Sequence, residues 1–226
     1  MPRVCVFDVN ETLLDLGTLD PHFQSLFGNV AVRQEWFNQM IQSALVSTVT
    51  GAYSDFGSIG AAALAMTAER HGVTLSDEDQ QRILGTVQEL PAHPDARECL
   101  ELLQGEGLRL AALTNSTQQV AENQMENSGL REYFEQVLSA DSVQRLKPAP
   151  EPYRMAAQSL NEELANIRLV AAHAWDVAGA LRAGCAAAFV ARPGKVLDPL
   201  IEPPPDVIGG DLREVAEKIL EAEKEG

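Results

Sequence analysis

The stretch Val4-Cys5-Val6-Phe7-Asp8-Val9-Asn10-Glu11-Thr12-Leu13 decides how the rest of the chain is read. Its first four residues are apolar and mostly β-favouring, the pattern of a buried strand, and the run stops at a carboxylate with a hydroxyl four positions on. Asp8 is therefore a candidate reactive group. The plainer alternative is that an Asp after a strand caps a helix or solvates a turn.

Downstream of this strand the apolar residues recur at threes and fours from about Leu16 to Leu90. The spacing predicts helices over Asp20 to Phe27, Val32 to Val49, Ser58 to His71 and Ser76 to Leu90, separated by Gly28, Gly51, Gly57 and Gly72. Pro91-Ala92-His93-Pro94 breaks the pattern. From Asp95 onward helices alternate with strands at Leu108 to Leu113, Gln136 to Ser139, Ile167 to Ala172, Ala186 to Ala191 and Asp206 to Ile208. Strands joined through helices need right-handed crossovers. The fold class expected is therefore α/β, a Rossmann-like, three-layer parallel-sheet core formed by residues 1–15 and 92–226, with residues 16–91 inserted as an α-helical bundle cap.

In such sheets ligands bind beyond the carboxyl ends of the strands. That rim gathers Asp8 and Thr12, then Thr114-Asn115-Ser116, then Lys147, then His173-Ala174-Trp175-Asp176. Ser116 with Gln119 fits a capping box, and Asp176 alone would fit a helix cap. Lys147 resists such an explanation, because it lies ahead of a helix expected near Pro152, where the helix dipole favours anions. Pairing with Asp8 and Asp176 is its natural use. It is also the sole Lys in the first 194 of the 226 residues, in a chain where thirteen of the seventeen basic residues are Arg.

A formal net charge of -16 disfavours nucleic-acid and anionic-membrane partners, which select clustered basic charge. A small anionic substrate would have to be drawn in by local groups. No stretch approaches the roughly 18 apolar residues of a membrane span and no signal-peptide pattern opens the chain, so the expected location is cytoplasmic. Cys5, Cys99 and Cys185 lack metal or disulfide spacing and are expected to be reduced core residues.

Taken together, Asp8 to Leu13, Leu113-Thr114-Asn115-Ser116, Lys147-Pro148 with Tyr153, and Asp176 resemble the four motifs of the haloacid dehalogenase superfamily, in order. Its magnesium phosphatases carry a second Asp two residues after the nucleophile; here Asn10 stands there and cannot exchange a proton near neutral pH. The chain is more similar to the metal-free L-2-haloacid dehalogenases, whose halide leaves without protonation. That resemblance implies Asp8 as nucleophile, Thr12 and Lys147 fixing it, and Asp176 orienting or deprotonating water. Thr114 and Asn115 would hold the substrate carboxylate, and Asn10, Tyr153 and Trp175 would complete the substrate site. It implies no cofactor, and suggests a homodimer through the cap.

Three departures stand out. Phe37 falls where that family places a cap arginine beside the halide; Arg33, one helical turn earlier, is the candidate substitute, against the plain reading of an exposed helix arginine. Ala171 and His173 occupy the positions of a Ser and an Asn, so His173 is a candidate base, against the plain reading of a structural hydrogen-bonding residue at a strand end. Asn10 replaces an aromatic residue. The alternatives are a magnesium-dependent small-molecule phosphatase and a catalytically weak binding or regulatory protein on the same fold.

Overall fold

The computed structural model describes residues 4–225. Six strands form one parallel sheet: β1 (Val4–Phe7), β2 (Leu110–Thr114), β3 (Gln136–Ser139), β4 (Ile167–Ala171), β5 (Ala186–Val190) and β6 (Val207–Gly209), in the order β3-β2-β1-β4-β5-β6. After β1 the chain builds outward on one side through β2 and β3, then returns to add β4, β5 and β6 on the other. The order therefore reverses at the β1/β4 pair, where Phe7 lies opposite Val170. Loops leaving these two strands diverge and open a crevice at their carboxyl ends.

Alternation along β1 assigns its side chains to two layers. Cys5 and Phe7 face a core shared with the buried residues of α5 (Ala96–Gly105), α6 (Gln118–Asn127) and α9 (Leu212–Glu225). Val4 and Val6 face a second core with Tyr153 and Ala156 of α7 (Pro150–Leu160) and Val177 and Ala180 of α8 (Ala174–Ala183). Both faces of every central strand are covered, which is why their sequences read as continuous apolar runs.

Between β1 and α5 lie four helices, α1 (Asp20–Phe27), α2 (Val32–Thr50), α3 (Phe56–Arg70) and α4 (Asp77–Thr86). Gly28 and Gly51 end α1 and α2 in the left-handed conformation that glycine adopts without a Cβ penalty. Chain exit and return run side by side, with Leu14 bridged to Ala92 and the His93 amide donating to the Leu13 carbonyl. Phe23, Trp36, Leu64 and Ile83 bury these helices on one another. Among the described residues, no helix is long and apolar enough to cross a membrane.

Two helix starts differ from expectation. Thr117, not Ser116, occupies the N-cap of α6, because the Ser116 amide is already taken by the Thr114 hydroxyl at 3.1 Å. Apolar spacing predicts the helix after β4 over Val177 to Ala183, whereas α8 begins at Ala174, so Trp175 and Asp176 lie in its first turn and His173 is its N-cap. The three cysteines are buried, and none is in a disulfide.

Candidate active site

Asp8 is the first residue beyond β1, and its amide still donates to the Val170 carbonyl of β4, so the sheet itself fixes its position. One carboxylate oxygen accepts from the Lys147 ammonium at 2.8 Å. The other accepts from the Thr12 hydroxyl at 2.6 Å and faces Nδ1 of His173 at 3.0 Å. Thr12 in turn accepts from the Ala172 amide at 2.9 Å, tying the loop after β1 to the end of β4.

Lys147 is 2% exposed and all three ammonium protons have acceptors: Asp8, the Leu113 carbonyl at 2.8 Å and Asp176 at 2.6 Å. Its backbone is held by Asn115, whose side-chain carbonyl accepts from the Lys147 amide at 2.7 Å and whose amide group donates to the Lys147 carbonyl at 3.3 Å. The Asn115 side chain thus places the lysine, a role the sequence did not assign to it. Thr114 is likewise turned toward the Ser116 amide.

Asp176 is fully buried and both its carboxylate oxygens are occupied, one by Lys147 and the other by the Tyr153 hydroxyl at 2.5 Å. Tyr153 is therefore a support for Asp176. So engaged, and with no exposed surface, Asp176 is placed to hold Lys147.

The electrostatics separate the two acids. Burial works to raise the Asp8 carboxyl, but the Lys147 ammonium and the His173 ring outweigh it and hold it far below the ordinary carboxylate range. Burial dominates at Asp176, which, with Asp8 close by, is raised despite Lys147. Asp8 is thus the more firmly ionised of the two. Burial lowers Lys147, yet the two carboxylates more than compensate and keep it charged.

Asp8 opens onto a narrow cavity of about 10 Å³ walled by Asn10, Phe37, Ile41, Phe56, Thr114, Asn115, Lys147, His173 and Trp175. Asn10, Phe37 and Phe56 also border a larger, mainly apolar chamber of about 200 Å³ between α2, α3, α4 and the start of α6. The Asn10 side-chain carbonyl accepts from Gln124 of α6 at 3.0 Å, which fixes its amide plane.

Arg33 is not beside Asp8. Its guanidinium donates to Asp20 at 2.6 Å and lies 3.9 Å from Glu11, with a side chain 19% exposed, because α2 turns that face toward α1 and the loop after β1. The position facing the cavity is Phe37, one turn on.

Two groups went unnoticed in the sequence. Glu11 is 7% exposed and faces Nε2 of His173 at 3.0 Å; Lys195, in the loop after β5, pairs with Glu11 and lies 5.5 Å over the Phe37 ring. Reading the rim one strand further, and applying to Lys195 the rarity of Lys that singled out Lys147, would have found the lysine. Nothing in the sequence announces that Glu11 sits at φ 62°, the backbone twist that turns its side chain inward.

A magnesium ion needs about six oxygen ligands at roughly 2.0–2.1 Å. Every carboxylate oxygen of Asp8 and Asp176 already accepts a hydrogen bond, and an ammonium occupies the space between them. These residues do not fit a divalent cation.

The family model for haloacid dehalogenase-like hydrolases matches residues 2–184. The (S)-2-haloacid dehalogenase 1 of Pseudomonas sp. (strain CBS-3) is 29% identical over 180 residues, 79% of each chain. A solved L-2-haloacid dehalogenase superposes with a TM-score of 0.92 at 26% identity, covering 97% of this chain and 99% of that one. The L-2-haloacid dehalogenase of Xanthobacter autotrophicus with chloropropionic acid covalently bound shares the fold, at a TM-score of 0.90 and 23% identity over 97% of this chain and 99% of its own.

Proposed function

The chain belongs to the haloacid dehalogenase-like hydrolases, and from that premise we propose that it hydrolyses the carbon-halogen bond of a short 2-haloalkanoic acid through an ester on Asp8. The observation that carries this reading is an ionised, doubly clamped carboxylate beside Asn10. A second acid at that position would be needed to protonate an alcohol leaving group, whereas a halide departs as an anion without help.

On this reading Asp8 attacks carbon 2 opposite the halogen. The new carbon-oxygen bond forms as the carbon-halogen bond breaks, the centre inverts, and halide is released. Water then adds to the Asp8 carbonyl carbon, the ester opens, and a 2-hydroxy acid departs. Lys147 and Thr12 hold Asp8 ionised and aimed, with Asp176 and Tyr153 holding Lys147 in turn. Such positioning is worth several orders of magnitude in rate. The substrate carboxylate is received by the Thr114 to Thr117 turn at the start of α6, where helix N-H groups favour an anion. Phe37, Ile41, Phe56 and Trp175 form an apolar wall around the halogen. We take the helices from 16 to 91 as a cap, and a homodimer through that cap as part of the same reading.

Halide release from 2-chloropropionate and phosphate release from p-nitrophenyl phosphate, each with and without magnesium, test this directly. Magnesium-independent halide release is expected, abolished in Asp8→Asn. Magnesium-dependent phosphate release with no halide would remove the proposal.

A further inference from the structure

Cleavage of the Asp8 ester needs a base for water; Asp176 has no exposed surface and does not line the Asp8 cavity, whereas His173 does. Its Nδ1 lies 3.0 Å from Asp8 Oδ2, one hydrogen bond from the carboxyl whose carbon water must attack. Its Nε2 faces Glu11 Oε2 at the same distance. Its ring is stacked between Phe37, at 5.7 Å between centroids, and Trp175, at 5.0 Å, so it can neither tilt nor flip freely. It also borders both the Asp8 cavity and a more open one of about 410 Å³ on the Lys195 side, which gives water a path to it.

Nucleophile, imidazole and orienting carboxylate in hydrogen-bonded series are the recurring constellation of covalent hydrolysis. We propose that His173, oriented by Glu11, is the general base that activates water for hydrolysis of the Asp8 ester, an assignment that rests on the dehalogenase reading above. Glu11 supports it independently. It holds a left-handed backbone conformation that a glycine would adopt without strain, and the side chain carried there is buried against His173 and Lys195.

The proton count closes. In the resting enzyme the ring faces two carboxylates; burial alone would lower it, but the bonds to Asp8 and Glu11 outweigh that and favour its protonated form. Alkylation of Asp8 removes one of those charges. His173 then gives its Nδ1 proton to solvent, the one proton the overall reaction releases. Water donates to the freed Nδ1 as its oxygen bonds to the Asp8 carbonyl carbon. Collapse of the tetrahedral adduct breaks the bond to the substrate oxygen, and the adduct's hydroxyl proton passes to the departing 2-hydroxy acid. Asp8 is left as carboxylate and His173 as imidazolium. The charged groups that set this titration are Asp8 and Glu11 in the loop after β1, Lys147 behind Asp8, and Lys195 and Arg33 on Glu11.

The test is rapid-quench turnover of 2-chloropropionate with intact-protein mass measurement. His173→Asn should release about one halide per enzyme and then stall with the acid covalently attached, its ester hydrolysis slowed at least about 100-fold, the low end for a positioned base. Hydrolysis in His173→Asn within a few-fold of wild type overturns the assignment, as does a folded His173→Asn that releases no first halide. Wild-type ester hydrolysis should rise with pH as His173 loses its proton. Glu11→Gln removes a neighbouring anion and should slow that step and move the rise to lower pH, with Glu11→Asp restoring it; an unmoved profile removes Glu11 as orienter. Should His173→Asn not fold, the two Glu11 variants carry the test. A wild type that releases no halide ends the dehalogenase reading itself, and this assignment with it.

Discussion

Lys147 is the residue on which the site's charge balance turns. Among the described residues it is the sole ammonium bonded to both Asp8 and Asp176, and it is buried with them. Replacing it by Met leaves two carboxylates close together without their shared cation. Lys147→Met should therefore lose at least about 1,000-fold in turnover, and roughly 3–5 kcal/mol in denaturant-measured stability, the cost of stripping one partner from a buried pair. A variant with near-wild-type stability would show that the ammonium is not the counter-charge drawn here. This lysine was legible in the sequence because its chemistry is scarce there and its place is a strand-end loop. The roles of Asn115 and Arg33 were not, since a side chain's partner depends on contacts made across the fold, 32 residues away for Asn115.

The order of helices and strands was likewise readable, because each central strand is a short apolar run and each helix repeats at threes and fours. The first turn of α8 was missed for a physical reason. Trp175 lines the Asp8 cavity and does not join the buried Val177 and Ala180, so the apolar spacing begins only at Val177. Helix α8 approaches the Lys147 loop closely through Gly179. A Cβ there would lie 2.6 Å from both Pro148 Cβ and the Tyr153 hydroxyl oxygen, and 2.8 Å from the Pro148 carbonyl oxygen. Gly179→Ala should thus push α8 outward and pull Asp176 off Lys147 and Tyr153. We expect about 1–3 kcal/mol of destabilisation, the usual cost of overpacking, together with reduced turnover. Unchanged melting and turnover would mean that this helix contact does not support the site.

The net charge of -16 sets the field that an anionic substrate meets on approach. Lys147, Lys195 and Arg33 give the crevice local positive groups within that field. Screening weakens the long-range term first, since the Debye length falls to about 8 Å near 0.15 M salt. Raising ionic strength from a few millimolar to that value should therefore increase kcat/KM for 2-chloropropionate; a decrease would show that local attraction already governs capture. The parallel sheet, its reversal at β1/β4 and the helices above it exist in this account to present one carboxylate to carbon 2. A single turnover in ¹⁸O-water, followed by mass analysis of the peptide bearing Asp8, tests that most directly. Water attack on the ester predicts heavy oxygen in the Asp8 carboxylate after one cycle. Label found only in the 2-hydroxy acid, with Asp8 unlabelled, would contradict it.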